Sequence, residues 1–129
     1  MRRITISGER KGTSVNSRSP REVLGNHLAA LNSGEADRIA ADYAEDAIVV
    51  LPGKVVAGQE AIRDAFAENG AALPGARYAT LSVTESSDLL LLEWQMDAHS
   101  VSVTDGIDTF LIYEGLIHRQ TSRFTPVER

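Results

Sequence analysis

The sequence has no cysteine in its 129 residues, which excludes disulfides and thiolate chemistry and leaves the redox compartment unmarked. Aromatic residues are scarce, at 5%. Frequent alanine suggests instead that helices pack closely on small side chains. No apolar run approaches the roughly 20 residues that a membrane span needs, so no membrane association is expected. Positive charge is also short: 13 Lys and Arg stand against 18 Asp and Glu, for a net charge of −5. No basic face is dense enough for a nucleic-acid footprint. Glycine-rich phosphate loops and a nucleophile elbow are missing as well. The opening stretch, "MRRITISGERKGTSVNSRS", is basic and polar without an apolar h-region, so it is not a secretory signal. Residues 1–18 are expected to form a flexible tail, residues 19–129 one domain, and the protein to be cytoplasmic. The remaining composition, 43% hydrophobic and 24% charged, is that of an ordinary globular domain.

The patterned part of the chain begins at "SPRE". Ser19 is placed to cap a helix, with Pro20 at its first position and Glu22 closing a capping box. Val23, Leu24, His27, Leu28 and Leu31 then make one helical stripe, with a histidine in the middle of an apolar face. "NSG" at 32–34 ends that helix, and Ile39, Ala40, Tyr43 and Ala44 repeat the pattern in a second. "AIVVLPG" (47–53) and "KVVAG" (54–58) read as a short hairpin. Gly58 opens a third helix with Ala61, Ile62, Ala65 and Phe66 on one face and Gly70 as its stop. The rest alternates polar and apolar over 77–85, 88–103, 106–113 and 116–125, separated by "ESSD", "TDG" and "EG" turns. In the second of these runs Leu90, Leu92, Trp94 and Met96 share one face, and Glu93, Gln95, Asp97 and His99 the other. Three helices followed by an antiparallel meander predict an α+β domain, a curved sheet wrapped around three N-terminal helices, with a cone-shaped interior that has a mouth.

Two stretches, "LNSGEADRIAADYAEDAIVVLPGKVVAGQEAIRDAF" (31–66) and "GIDTFLIYEGLIHRQT" (106–121), resemble the nuclear-transport-factor-2-like superfamily, in its SnoaL-like and ketosteroid-isomerase-like branch. The resemblance covers residues 20–126 and implies the cystatin-like cone fold, which hosts isomerases, hydrolases, dehydratases, cyclases and non-catalytic binders. Alignment with ketosteroid isomerase implies that His27 stands at the position of the first-helix tyrosine. Asp108 stands near the aspartate that holds the enolate oxygen, and Leu51 at the position of the catalytic base. A leucine cannot move a proton, so the steroid-isomerase mechanism does not transfer. Epoxide-hydrolysing members use an Asp/Arg/Asp network and polyketide cyclases a late-strand acid, for which the inward residues His118, Gln120, Ser122 and Phe124 offer no carboxylate. Dehydratase relatives use two histidines and an aspartate, which His27, His118 and Asp108 match by type. The resemblance also implies a homodimer through the outer face of the sheet, centred on Leu111 and Tyr113.

Asp108 falls in register with Phe110 and Ile112, and a carboxylate facing a cone interior must be paired, hydrogen-bonded or neutral. It is the first candidate for a general acid or base, against the plainer reading of a strand-start residue bonded to the "TDG" turn. His27, alone on an apolar stripe, reads as a core histidine; met by Asp108 across the cone, it would form a proton-transfer pair near neutral pH. Gln120 offers a donor and an acceptor to a ligand or to buried backbone, and His118 lies nearer the rim. Trp94, Phe110, Tyr43, Leu51, Phe66 and Phe124 complete the expected pocket wall or core. His27, His118 and Asp108 match a facial metal triad by type, but no clustered spacing supports one, so neither metal nor cofactor is expected. These residues predict a pocket for a small, largely apolar carbonyl or hydroxyl compound. The expected chemistry is cofactor-independent proton transfer, as in an isomerase or a dehydratase (lyase). The rival reading is a non-catalytic ligand-binding or dimeric interaction module of the same fold.

Overall fold

The computed structural model describes residues 18–129, so the expected tail lies outside the described residues except for Arg18. Of three helices, α1 (Pro20–Ser33) and α3 (Gln59–Ala72) lie against one sheet, and α2 (Ala36–Ala40) packs on the other two. Its strands are β1 (Tyr43–Leu51), β2 (Lys54–Ala57), β3 (Arg77–Ser86), β4 (Leu89–Asp97), β5 (Val101–Tyr113), β6 (Leu116–Arg123) and β7 (Val127–Glu128). The order is β2-β1-β6-β5-β4-β3, with β7 beside β5. Only β1 and β6 run parallel among the described pairs; the rest are antiparallel. The architecture is the α+β fold expected, a curved, unclosed sheet with three helices. No helix among the described residues is long and apolar enough to cross a membrane.

Local chemistry accounts for the start of the fold. The Ser19 hydroxyl accepts from the Glu22 amide and the Glu22 carboxylate from the Ser19 amide, closing the capping box; Gly34, in the left-handed region, caps the other end. Val23, Leu24, His27 and Ala30 are the buried face of α1.

Several boundaries differ from the expectation. The second helix is a single turn ending at Ala40, and Tyr43 and Ala44 begin β1 instead. The cause is tertiary: the Ile117 amide donates to the Asp42 carbonyl at 2.8 Å, and Tyr43 pairs with Ile117, so the parallel ladder overrides helical propensity. Helix α3 runs through Gly70 to Ala72 rather than stopping there. The run 88–103 is two strands, broken at 98–100, and "TDG" lies inside β5. There Trp94 pairs with Gly106 and Met96 with Val103, so Thr104 and Asp105 are a bulge that bends the strand rather than a turn. Further register shifts on β3 and β6 add curvature to the same sheet.

Asp42, buried at the junction of α2 and β1, ties the chain's entry to the fold. It accepts from Arg18 Nη1 at 3.0 Å and from Asn26 Nδ2 at 3.0 Å, while Arg18 Nη2 donates to the Gly115 carbonyl at 2.6 Å. Arg18 therefore belongs to the folded unit and not to a tail. Arg18→Met should leave the buried carboxylate with Asn26 alone, lowering unfolding stability in urea by about 2–4 kcal/mol.

Candidate functional site

Alternation in β4 and β5 places Leu92, Trp94 and Met96, and Asp108 and Phe110, on the concave side, and all are buried. All of these but Phe110 line a cavity of about 250 Å³ closed on its other side by α1 and α3, through Leu28, Leu31, Ile62, Ala65 and Phe66. The lining is mainly apolar. Its polar groups are Asp108, Gln120, Ser122, His27, Asn69, Tyr78 and, at the β1–β2 hairpin, Lys54.

Asp108 is the polar centre. Trp94 Nε1 donates to its Oδ1 at 3.0 Å and Gln120 Nε2 to its Oδ2 at 2.9 Å, with the Ser122 hydroxyl as a further partner from the facing position on β6. The Tyr43 hydroxyl in turn donates to Gln120 Oε1 at 2.5 Å. A chain of hydrogen bonds therefore crosses four neighbouring strands, from Tyr43 on β1 through β6 and β5 to Trp94 on β4. Burial pushes the Asp108 carboxyl above its ordinary value, and the three donors pull in the other direction without cancelling it. Three donors on the four lone-pair sites of a carboxylate leave one site free, so the group can still take or give a proton.

Trp94 reaches Asp108 because its cross-strand partner is Gly106. A β-carbon there would collide with the indole carbons Cδ2 and Cε2, so the ring lies directly over the glycine. Phe124 and Tyr78 flank the indole at centroid distances of 5.5 and 5.8 Å, giving one aromatic wall beside the carboxyl.

His27 lines the cavity but is not paired with Asp108. Among the described residues no hydrogen bond joins them, and His27 Nδ1 is buried without a partner. The ring stands edge-on to Tyr43 and Phe110 at 5.6 and 5.7 Å. Loss of hydration lowers its pKa to about 4, against a smaller upward pull from Asp42. The expected proton-transfer pair near neutral pH is therefore not formed, and His27 is a neutral imidazole.

Leu51, Phe66, Phe124, Trp94 and Gln120 line the cavity as expected. Phe110 and Tyr43 do not: both are fully buried behind the lining, Phe110 as core and Tyr43 as the support of Gln120. His118 is also outside. It is the extra residue where Leu111 faces Arg119 but Ile112 faces Ile117, and its ring stacks on Tyr113 at 3.7 Å with Nε2 near the Tyr113 carbonyl. The bulge turns it off the concave face, so His27, His118 and Asp108 are not brought together as a dehydratase set or a metal triad. Lys54, Tyr78 and Asn69 were missed in the sequence. Only Lys54 had a signal: it alternates with Val56, whose face is buried.

Two outcomes follow from this geometry. Gly106→Ala should displace the indole, red-shift the emission of the single tryptophan, and lower stability by about 1–3 kcal/mol through overpacking. Because the folded state keeps His27 neutral while the unfolded chain protonates it near 6.5, acid favours unfolding. Stability should fall from pH 6.5 to about 4, and the His27 share of that loss should be about 3 kcal/mol. Urea titrations of wild type and His27→Phe across this window should show the variant lacking that component.

The family model described as "SnoaL-like domain" matches residues 24–120. No curated protein matches the chain in sequence. Among solved structures, the chain is similar to the epoxide hydrolase/cyclase-like enzyme SalBIII of pyran-ring formation in salinomycin. The identity is 19%, covering 82% of this chain and 90% of that one, with a TM-score of 0.73. A candidate ketosteroid isomerase from Kribbella flavida is 16% identical over 85% of this chain and 80% of its own, at a TM-score of 0.72. A candidate polyketide cyclase from Sinorhizobium meliloti is 20% identical over 78% and 92%, at 0.67. At such identities the likeness is one of fold. The chain, matched by the family model over most of its length and sharing its neighbours' fold, belongs to the SnoaL-like family.

Proposed function

We propose that this protein binds a small, largely apolar carbonyl or hydroxyl compound in its cavity and moves a proton on it through Asp108. The observation that carries this reading is the buried Asp108 carboxyl, raised in pKa, hydrogen-bonded by Trp94 and Gln120, and bordering an apolar cavity. In the ionised form it takes a proton from a carbon beside a carbonyl; in the protonated form it returns that proton to another carbon, or to a leaving hydroxyl. The first outcome is isomerisation and the second dehydration. Gln120 and Ser122 hold the carboxyl, while Trp94, Phe66, Phe124 and Leu51 shape the apolar walls. No cofactor is required by this chemistry.

The second reading is a non-catalytic binder using the same cavity. It is favoured by the neutrality of His27 and by the apolar side chain of Leu51, which leave Asp108 without a charged imidazole or a second carboxylate as companion. A homodimer through the outer sheet face suits either reading: Leu89, Leu91, Ile107 and Tyr113 are exposed there beside Leu111.

Asp108→Asn separates the readings. At pH 7 two effects oppose one another: the amide removes a carboxylate whose folded pKa is raised, but its NH2 faces a donor, Trp94 Nε1 or Gln120 Nε2, so a net loss of about 1–3 kcal/mol is expected. The wild-type penalty grows as pH rises through that folded value, and it vanishes below the ordinary carboxylate range. Exchange of α-protons in D₂O, followed by NMR on a panel of cyclic enones and β-hydroxy ketones, should be catalysed by wild type. It should fall about 10²–10⁴-fold in the variant. Saturable binding with no exchange or elimination by the wild type would establish the binder instead.

A further inference from the structure

We propose that Lys54 is a specificity residue that selects ligands carrying an anionic group at the end remote from Asp108, so that the cavity takes an apolar organic carboxylate. This deepens the reading that the cavity binds a small molecule and rests on it.

Strand β2 is four residues long, and its alternation fixes where Lys54 points. Val56 is buried and lines the cavity opposite Val49; Lys54, two residues earlier, shares that face and stands opposite Leu51. Both Leu51 and Lys54 line the cavity. Lys54 is the one lysine or arginine in the lining, and among the described residues no carboxylate lies within ion-pair distance of it. Its exposed position keeps the ammonium hydrated at the mouth rather than buried within.

Sheet register relates this cation to the carboxyl. Val49 faces Gln120 and Val50 faces Thr121 across β1 and β6, which brings the next residues, Leu51 and Ser122, abreast. Ser122 faces Asp108 and Leu51 faces Lys54. Lys54, Leu51, Ser122 and Asp108 therefore form one row across the concave face, spanning three strand spacings, about 14 Å along the sheet. The row is polar at both ends and apolar at Leu51, with the aromatic wall of Trp94, Tyr78 and Phe124 beside its inner end. A complementary molecule has a hydroxyl or carbonyl for Asp108 and Gln120, a flat apolar body, and an anion at the mouth. The reverse orientation would set an anion against Asp108 and leave Lys54 unpaired.

The test uses the full-length protein, emission from its single tryptophan, and two probes of one shape: 4′-hydroxybiphenyl-4-carboxylate and the uncharged 4-hydroxybiphenyl. Wild type should bind the carboxylate about fivefold more tightly than the neutral phenol at low salt, the worth of a solvated ion pair. The preference should shrink as salt is raised. Lys54→Met should bind both probes alike, and Lys54→Glu should prefer the neutral one. Binding of the phenol with no carboxylate preference, or a preference unchanged in Lys54→Met, overturns the role of Lys54 while leaving the pocket reading intact. Failure of both probes to bind wild type overturns both.

Discussion

The concave face of this sheet depends on a single run of hydrogen bonds, from the Tyr43 hydroxyl to Gln120, from Gln120 to Asp108, and from Trp94 back to Asp108. Its direction is fixed by its first member. A phenol donating to Gln120 Oε1 turns the amide so that Nε2 must point at Asp108, which can then only accept. Every strand from β1 to β4 across the centre of the sheet contributes one group to this run, so the carboxyl cannot shift without disturbing four elements. Buried polar groups tolerated in this way specify one arrangement, because any slip in register would strand a donor or an acceptor in an apolar interior.

The same run removes the contrast between a structural and a chemical Asp108. Trp94, Gln120 and Ser122 stabilise the ionised form, burial opposes it, and burial prevails. The carboxyl is thus well enough bonded to be held still and too poorly hydrated to be content as an anion. Gly106 belongs to this balance as much as any donor. It lies at the end of the β5 bulge, and its missing side chain is the space that the indole fills. What reads in the sequence as a "TDG" turn is the device that bends β5 and seats Trp94.

That misreading shows where the sequence is legible and where it is not. Alternation correctly sorted Leu90, Leu92, Trp94 and Met96 from Glu93, Gln95 and Asp97, and correctly turned Asp108 and Gln120 inward. The Ser19–Glu22 capping box and the short strand, read at 54–58 and found at 54–57, were equally plain, because each rests on neighbours in the chain. The two errors that bear most on the site share one cause, a partner distant in sequence. Tyr43 leaves the helical pattern because β6 pairs with its backbone, and His118 leaves the pocket because one extra residue on β6 shifts the period by one. The Arg18–Asp42–Asn26 cluster joins three segments whose closeness no local pattern announces.

The placement of charge in the cavity limits what chemistry the proposed function can include. His27 is held neutral, Leu51 is apolar, Lys54 stands at the mouth and burial raises the pKa of the Tyr78 phenol, so Asp108 is the one carboxyl in the lining. Two-station mechanisms in which one carboxyl removes a proton from one face while a second delivers to the opposite face have no second carboxyl among the residues that line this cavity. A lone carboxyl must return what it takes, and it can do so only to atoms it can reach without leaving its own position. In an isomerisation the proton is lifted and replaced on the same face of the substrate. In a dehydration the hydroxyl leaves on the face from which the proton came, a syn elimination with Asp108 first as base and then as acid. The fixed hydrogen bonds to Trp94 and Gln120 reinforce this constraint. They hold both oxygens in place, so the substrate rather than the carboxyl must do the moving.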